Sequence, residues 1–294
     1  MATNTAPARV AAIHDLSCFG RCALTVIIPT LSVMGYQVVP LPTALLSTHT
    51  GGFTDLHFHD LTGDMEAIAS HFDRLKTSFR AIYTGFLGSA EQIDTVARII
   101  DRFGTQKDSN GETPLILIDP VMGDDGELYS TYTPELVRGI RTLSRRAHLL
   151  TPNLTEACLL TDTPYRDTAC MHPDDALAFC EDCMERLTAV TSGRIVITGI
   201  SLSDGTFANL GRDCDGTSFC VRRPHEAHSY PGTGDLFASV LLGALLRGEG
   251  FHDAVTHAAE FTSDVIHASI PIPTPEREGV ALEPHLWKLI SSNG

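Results

Sequence analysis

The residues best placed to do chemistry stand in Tyr230-Pro-Gly-Thr-Gly-Asp235, which runs straight into the apolar stretch Leu236-Phe-Ala-Ser-Val-Leu-Leu-Gly-Ala-Leu-Leu246. Glycines let the backbone come close to a ligand, and a helix starting here would aim unpaired N–H groups outward with about half a positive charge. An anion site without lysine is the consequence. Asp235 also has an ordinary reading, because a carboxylate in the first turn of a helix stabilises its dipole. That reading leaves the other polar clusters unexplained: Asp15 with Gly20, Ser47-Thr-His-Thr-Gly51, Asp119-Pro-Val-Met-Gly-Asp124, Thr151-Pro-Asn-Leu-Thr-Glu156 and Thr198-Gly199.

Each cluster follows a short apolar run. The runs at 9–14, 37–43, 81–86, 114–119, 148–151 and 194–199 read as strands, several apolar almost throughout. Between them the spacing predicts helices over 22–34, 64–79, 90–103, 134–143, 153–160, 173–190, 234–246 and 252–267. This alternation predicts an α/β fold, a three-layer αβα arrangement whose central, largely parallel sheet carries helices on both faces. Segments 206–210 and 218–223 flank a turn-rich stretch and predict a β-hairpin at the sheet edge. In such a sheet ligands sit beyond the carboxyl ends of the strands, which is where the polar clusters fall. The expected organisation is a loose tail over 1–8 and one domain over 9–294, with 106–113 a surface loop and 271–275 extended before a short final helix.

The 294 residues are 43% hydrophobic and 19% charged, with a formal charge of −15. No uninterrupted apolar stretch is long enough to cross a bilayer. The negative charge opposes nucleic acid and anionic membrane as general partners. Only Lys76, Lys107 and Lys288 are lysines; no P-loop motif exists, and neither a protein-kinase strand lysine nor a Schiff-base lysine has an obvious place. The first eight residues lack an apolar leader, so a cytoplasmic protein with reduced thiols is expected. The pair Cys180 and Cys183 lies in a helical pattern with no second pair to complete a zinc site, and buried thiols are the simpler reading. Cys18 and Cys22, flanking the first turn, are read the same way, and His57 and His59 as surface histidines.

With these motifs in order, the chain resembles the ribokinase-like superfamily, and within it the pyridoxal/pyridoxamine kinases, over about 10–267. The resemblance rests on Asp15 with Gly20, Thr43-Ala-Leu-Leu-Ser-Thr-His-Thr-Gly51, Tyr83-Thr-Gly-Phe86, Asp119-Pro-Val-Met-Gly-Asp124, Thr151-Pro-Asn153 with Glu156, and Gly232-Thr-Gly-Asp235. It implies ATP-dependent phosphorylation of the hydroxymethyl group of pyridoxal, pyridoxamine or pyridoxine. Asp235 would be the general base, with the N–H groups of Gly232, Thr233 and Gly234 stabilising the transferring phosphoryl group. Asp119 and Glu156 would place Mg²⁺, partly through water, while Asp119, Asp124, Thr151, Asn153, Glu156 and Thr198 line the nucleotide side. Asp15, His49, Thr50 and Phe86 would meet the substrate. A monovalent cation such as K⁺ and a homodimer are compatible with the resemblance.

Two positions depart from the family pattern, which usually has Ser where Asp15 stands and often Tyr where Phe86 stands. A carboxylate at 15 could pair with a protonated ring nitrogen or an amine, or it could cap the turn. Phe86 could wall the substrate or simply pack in the core, and His49 could touch the ring or hold the loop. The alternatives are a hydroxymethylpyrimidine kinase of thiamine synthesis and a non-catalytic ligand-binding protein on the same fold.

Overall fold

The computed structural model describes residues 7–108, 111–226 and 228–290. Residues 1–6 of the expected tail, and 109–110 in the loop over 106–113, lie outside the described residues. The chain begins with β1 (Arg9–Ile13), β2 (Leu16–Phe19), α1 (Leu24–Val33), β3 (Gln37–Pro40), β4 (Ala44–Thr48), β5 (Phe58–Asp60) and α2 (Thr62–Arg74). It continues with β6 (Ala81–Thr84), α3 (Ala90–Phe103), β7 (Leu115–Ile118), β8 (Gly123–Asp124), β9 (Glu127–Leu128), α4 (Pro134–Ser144), β10 (Leu149–Leu150), α5 (Leu154–Thr161) and α6 (Pro173–Leu187). Last come β11 (Arg194–Leu202), β12 (Thr206–Arg212), β13 (Ser218–Pro224), α7 (Thr233–Leu246) and α8 (Phe251–Ser269), then short 3₁₀ turns at Glu276–Glu278 and Glu283–Leu289.

Eight strands form the main sheet in the order β13-β12-β11-β10-β7-β6-β1-β3. From β11 to β3 every pairing is parallel, and β12 and β13 add an antiparallel edge. The expected edge hairpin is therefore present. Strand alternation divides the core into two: Ala11, Ile13, Ile82, Ile116, Ile118, Leu150, Ile195 and Ile197 face the layer with α3 to α6. Val10, Ala12, Ala81, Tyr83, Leu117, Leu149 and Val196 face the layer with α1, α7 and α8. Burial on both faces is the reason these strands read as continuous apolar runs.

Helix α3 shows how local sequence builds the layers. Ser89 caps it by accepting a hydrogen bond from the Gln92 N–H at 3.2 Å, and Ile93, Val96, Ile100 and Phe103 recur at helical spacing on the buried face. The second helix ends at Arg74 rather than near 79, because Lys76 turns left-handed at φ 54° and the chain then crosses to β6. The sequence reading also missed a three-stranded sheet, β2-β4-β5, and the small hairpin β8-β9. Its strands are short and half-exposed, so they carry no strong apolar run. Cys18 is exposed rather than buried, since it points outward from β2, whereas Cys22, Cys180 and Cys183 are buried. Among the described residues no helix is long and apolar enough to cross a membrane.

Phe103 closes α3 fully buried and edge-on to Phe79, with ring centroids 5.3 Å apart. Phe103→Ala should lower unfolding free energy by about 3–5 kcal/mol, the usual cost of a phenyl-sized cavity. Urea denaturation monitored by circular dichroism reads this; a loss below about 1 kcal/mol would mean that the pair does not anchor this layer.

Candidate active site

The polar clusters converge at the carboxyl ends of β1, β6, β7 and β10, facing the start of α7. Gly232 is the residue before that helix and takes φ 80°, and a Cβ there would fall 2.2 Å from the Arg21 carbonyl oxygen. Only glycine fits this close approach. At Gly234, by contrast, a Cβ would meet nothing within 4 Å, so the open space above the helix end lies over this residue. The first-turn N–H groups of α7 have no acceptor within the helix and point toward that space.

Asp235 does not cap its own helix. Its Oδ2 accepts a hydrogen bond from the Ala23 N–H at 2.8 Å, and Ala23 is the residue that opens α1 in a left-handed conformation, φ 48°, with no side-chain cap of its own. Two helix N-termini thus meet at one carboxyl group. The other oxygen, Oδ1, lies 3.9 Å from His14 Nδ1, and the Asp235 side chain is 16% exposed. Burial pushes the Asp235 pKa up to about 7; the Ala23 hydrogen bond opposes the rise and the Asp15 carboxylate adds to it.

Asp119 and Glu156 are buried together beyond β7 and at the start of α5. Burial, then repulsion from Glu156 and Asp235, holds Asp119 well above the usual carboxylate range. Glu156 is pushed up to about 8 by burial, although backbone N–H donors resist the change. Its Oε2 accepts from the Asn153 N–H at 2.8 Å and its Oε1 from the Met122 N–H at 3.1 Å, while Asn153 Oδ1 accepts from the Glu156 N–H at 2.9 Å. This reciprocal capping box fixes the Asp119-to-Asp124 loop against α5. No lysine or arginine pairs with Asp119, Glu156 or Asp235 among the described residues. A hard divalent cation fits such a donor set, with Asp119 the freer ligand and Glu156 already committed to N–H donors. No three His, Cys, Asp or Glu side chains among the described residues gather closely enough to hold a metal alone.

Toward the sheet edge, Asn153 bridges β-fashion to Thr198, and its side-chain amide donates to the Gly123 carbonyl at 2.8 Å. Asp124 stands in the hairpin β8-β9, where partial desolvation of its carboxyl group and then repulsion from Asp125 raise its pKa, opposed by the Asp125 N–H. Asp124 and Asn153 border a cavity of about 140 Å³ that Thr155, Tyr165, Gly199 and Ser201 also line, whereas Thr151 and Thr198 are not part of its lining. Thr151 is buried with its hydroxyl unpartnered.

On the other side, Asp15 is buried and its Oδ2 accepts from the Ser17 hydroxyl at 2.9 Å. Burial raises its pKa, opposed by Ser17, its own backbone N–H and His49. His49 Nδ1 accepts from the Gly51 N–H at 3.1 Å, so its proton sits on Nε2 and is donated to the Arg277 carbonyl at 2.6 Å. Both ring nitrogens are occupied by backbone, and the buried ring packs edge-on to Phe53 with centroids 5.0 Å apart. Thr50 is exposed on the same loop. Phe86 is half-buried and packs edge-on to Tyr132, whose ring centroid is 6.1 Å away, so its core-packing role is real; Gly88 leaves its edge uncrowded.

Sequence reasoning singled out the acidic residues but passed over His14 and the Ala23 backbone, and gave Tyr83 no role beyond its place in the Tyr83-Thr-Gly-Phe86 motif. An Ile-His-Asp run carries no signal that separates a core histidine from a site histidine. It also missed Gln92, fully buried, whose side chain ties Gly88 N–H, the Thr43 carbonyl, Asp60 and Thr62 together beneath the substrate side.

The chain is similar to known kinases along most of its length. The chain is 28% identical to a pyridoxine/pyridoxal/pyridoxamine kinase of Bordetella avium across 86% of its length and 82% of that protein. It is 27% identical to a hydroxymethylpyrimidine/phosphomethylpyrimidine kinase of Bacillus subtilis, covering 82% of each. Among solved structures, a Bacteroides thetaiotaomicron protein provisionally described as a phosphomethylpyrimidine kinase and crystallised with pyridoxal superposes with a TM-score of 0.85 at 36% identity, over 97% of this chain and 96% of that one. The family model for phosphomethylpyrimidine kinase matches residues 28–276, which include the Asp119 loop, the Glu156 capping box and the Asp235 helix start. With nearly the whole site inside that match, the chain belongs to the phosphomethylpyrimidine kinase family of the ribokinase-like fold.

Proposed function

We propose that the chain is an ATP-dependent vitamin B6 kinase that phosphorylates the 5′-hydroxymethyl group of pyridoxal, pyridoxamine or pyridoxine. The observation that carries the reading is Asp235, one carboxylate oxygen pinned by the Ala23 N–H and the other free, at the head of a helix whose first-turn N–H groups face open space. The free oxygen takes the hydroxyl proton as the alcohol oxygen attacks the γ-phosphorus of ATP. The N–H groups of Gly232, Thr233 and Gly234 receive the negative charge on the phosphoryl oxygens, and ADP leaves. Because these donors are fixed backbone, they need no reorganisation during transfer. A burial-raised pKa makes Asp235 a stronger base than an ordinary carboxylate at the same position.

Asp119, with Glu156 acting through water, would hold Mg²⁺ against the ATP phosphates, and the ion would supply neutralisation of phosphate charge. Asp124, Thr151, Asn153 and Thr198 would border the nucleotide, and Asp124 and Asn153 line the cavity between β8-β9 and α5. Asp15, His49, Thr50 and Phe86 would surround the heterocycle. Pyridoxal bound to the Bacteroides relative supports this class of substrate. K⁺ is retained as a candidate activator, and a cytoplasmic location and the action of 9–294 as one domain as parts of the same reading. The exposed Leu45 on β4, with exposed Phe19 and Phe58 on its neighbours, supports a homodimer formed through the small sheet. Light scattering should give the mass of two chains, and Leu45→Arg should shift it toward one; a wild-type monomer at tens of micromolar would remove the dimer.

The second reading, a hydroxymethylpyrimidine kinase, is favoured by one observation, the buried Asp15 carboxyl at a position where it could accept from an aminopyrimidine. A binding-only protein has no use for Asp235. ATP-dependent turnover of pyridoxal, pyridoxamine, pyridoxine and hydroxymethylpyrimidine, measured side by side, separates the three. Turnover of the pyrimidine alone would reverse the assignment, and no turnover would leave the binding reading.

Asp235→Ala should lower kcat by about 10²–10⁴ with ATP binding retained, the range for a positioned base. In the wild type only the ionised carboxyl accepts the proton, so kcat/KM should fall on the acid side through a limb near 7 rather than near 4. The linked stability effect has the opposite slope: between the ordinary value of 3.8 and about 7 the folded state keeps a proton that the unfolded chain has lost. Stability therefore decreases as pH rises through that window, and Asp235→Asn should be more resistant to urea than wild type at pH 8. Equal stability and undiminished turnover in these variants would remove Asp235 from the base role.

Asp15→Ser should shift kcat/KM toward pyridoxal and away from pyridoxamine and the aminopyrimidine. The shift should be about tenfold or more if a charge-assisted bond worth about 1.5–3 kcal/mol is lost. An equal fractional drop for all four heterocycles would place Asp15 in the scaffold.

A further inference from the structure

His14 is buried at the end of β1, on the face that meets α7. Its ring lies edge-on to Tyr83 with centroids 4.3 Å apart. The neighbouring strand leaves room for it only because residue 85 is glycine, where a Cβ would fall 2.2 Å from both Cε1 and Nδ1 of the imidazole. Packing therefore holds the ring in one orientation. In that orientation Nδ1 lies 3.9 Å from Asp235 Oδ1, the carboxylate oxygen that Ala23 leaves free, while Nε2 is buried with no hydrogen-bond partner.

The two nitrogens decide the tautomer. A buried N–H without an acceptor costs more than a buried lone pair without a donor, so the single proton of the neutral ring belongs on Nδ1, facing the carboxylate. Burial keeps the imidazole neutral by lowering its pKa to about 3. A neutral donor suits this position, because a cation would pair with Asp235 and weaken it as a base, whereas an apolar group would leave Oδ1 free to swing.

We propose that His14 is a positioning residue for Asp235, its Nδ1–H orienting the free carboxylate oxygen toward the substrate hydroxyl. At 3.9 Å the pair is beyond hydrogen-bond distance, and the proposal has the contact tighten when substrate engages the site. The inference rests on the kinase reading, and on Asp235 as its base.

Three variants separate orientation from packing. In His14→Asn the amide nitrogen can occupy the place of Nδ1, in His14→Gln that of Nε2, and His14→Leu keeps volume without a donor. His14→Leu and His14→Gln should lose about tenfold in kcat with KM for ATP and heterocycle within about twofold, the pattern of an interaction made only in the transition state. His14→Asn should recover most of that loss. An unchanged kcat in His14→Leu, equal losses in Asn and Gln, or loss of fold in both polar variants would assign the imidazole to packing and overturn the proposal. Failure of the kinase reading is distinct, since then the wild type itself would turn over none of the heterocycles.

Discussion

Unneutralised carboxyl groups in a desolvated space are the constraint on which the rest of the structure depends. Asp15, Asp119, Glu156 and Asp235 lie at one rim of the sheet, and none has a lysine or arginine partner among the described residues. Each is pushed toward its protonated form by burial, and Asp119 feels two of the others. A protein interior tolerates this only if N–H donors hold the carboxylates or a cation arrives with the ligand. The first is present: Glu156 is tied by the Asn153 capping box and the Met122 N–H, and Asp235 by Ala23. The second is the proposed role of Asp119, which would meet a divalent ion and its phosphates.

The backbone supplies the positive counterpart. Two helix N-termini, those of α1 and α7, are brought to the same point by Gly232, whose close approach to Arg21 locks the turns together. The same turn is braced from the far end of the chain, since the Arg21 N–H donates to the Glu278 carbonyl and the Arg21 guanidinium pairs with Glu283. Arg277 extends that brace to the substrate loop through its carbonyl on His49 and its guanidinium over Phe53. The proposed phosphoryl site, built on fixed N–H groups, would let a chain with 3 lysines and a charge of −15 handle ATP.

Much of this was legible in the sequence because it is carried by local patterns. Alternation of buried strands and amphipathic helices, the edge hairpin, and the Gly232 to Asp235 turn before an apolar helix each depend on residues close together in the chain. The acidic residues after the strands could be named for the same reason: a parallel sheet puts every strand end on one rim. The small sheet β2-β4-β5 could not be read, since its strands are short and half-exposed and owe their form to pairing across distant segments.

What only the tertiary structure decided is which atom faces which. The sequence could not say that Asp235 caps α1 instead of α7, because Ala23 and Asp235 stand 212 residues apart and meet only when both helices pack on the same face. Nor could it say that His49 spends both nitrogens on backbone, that glycine is demanded at 232 and optional for the fold at 234, or that His14 Nδ1 comes within 3.9 Å of Asp235 Oδ1. Residue types and their order along the chain determined the chemistry on offer, since these follow from local periodicity and strand-end placement. Hydrogen-bond direction, burial and the resulting proton affinities depend on contacts between remote segments, and these the packed molecule alone decides.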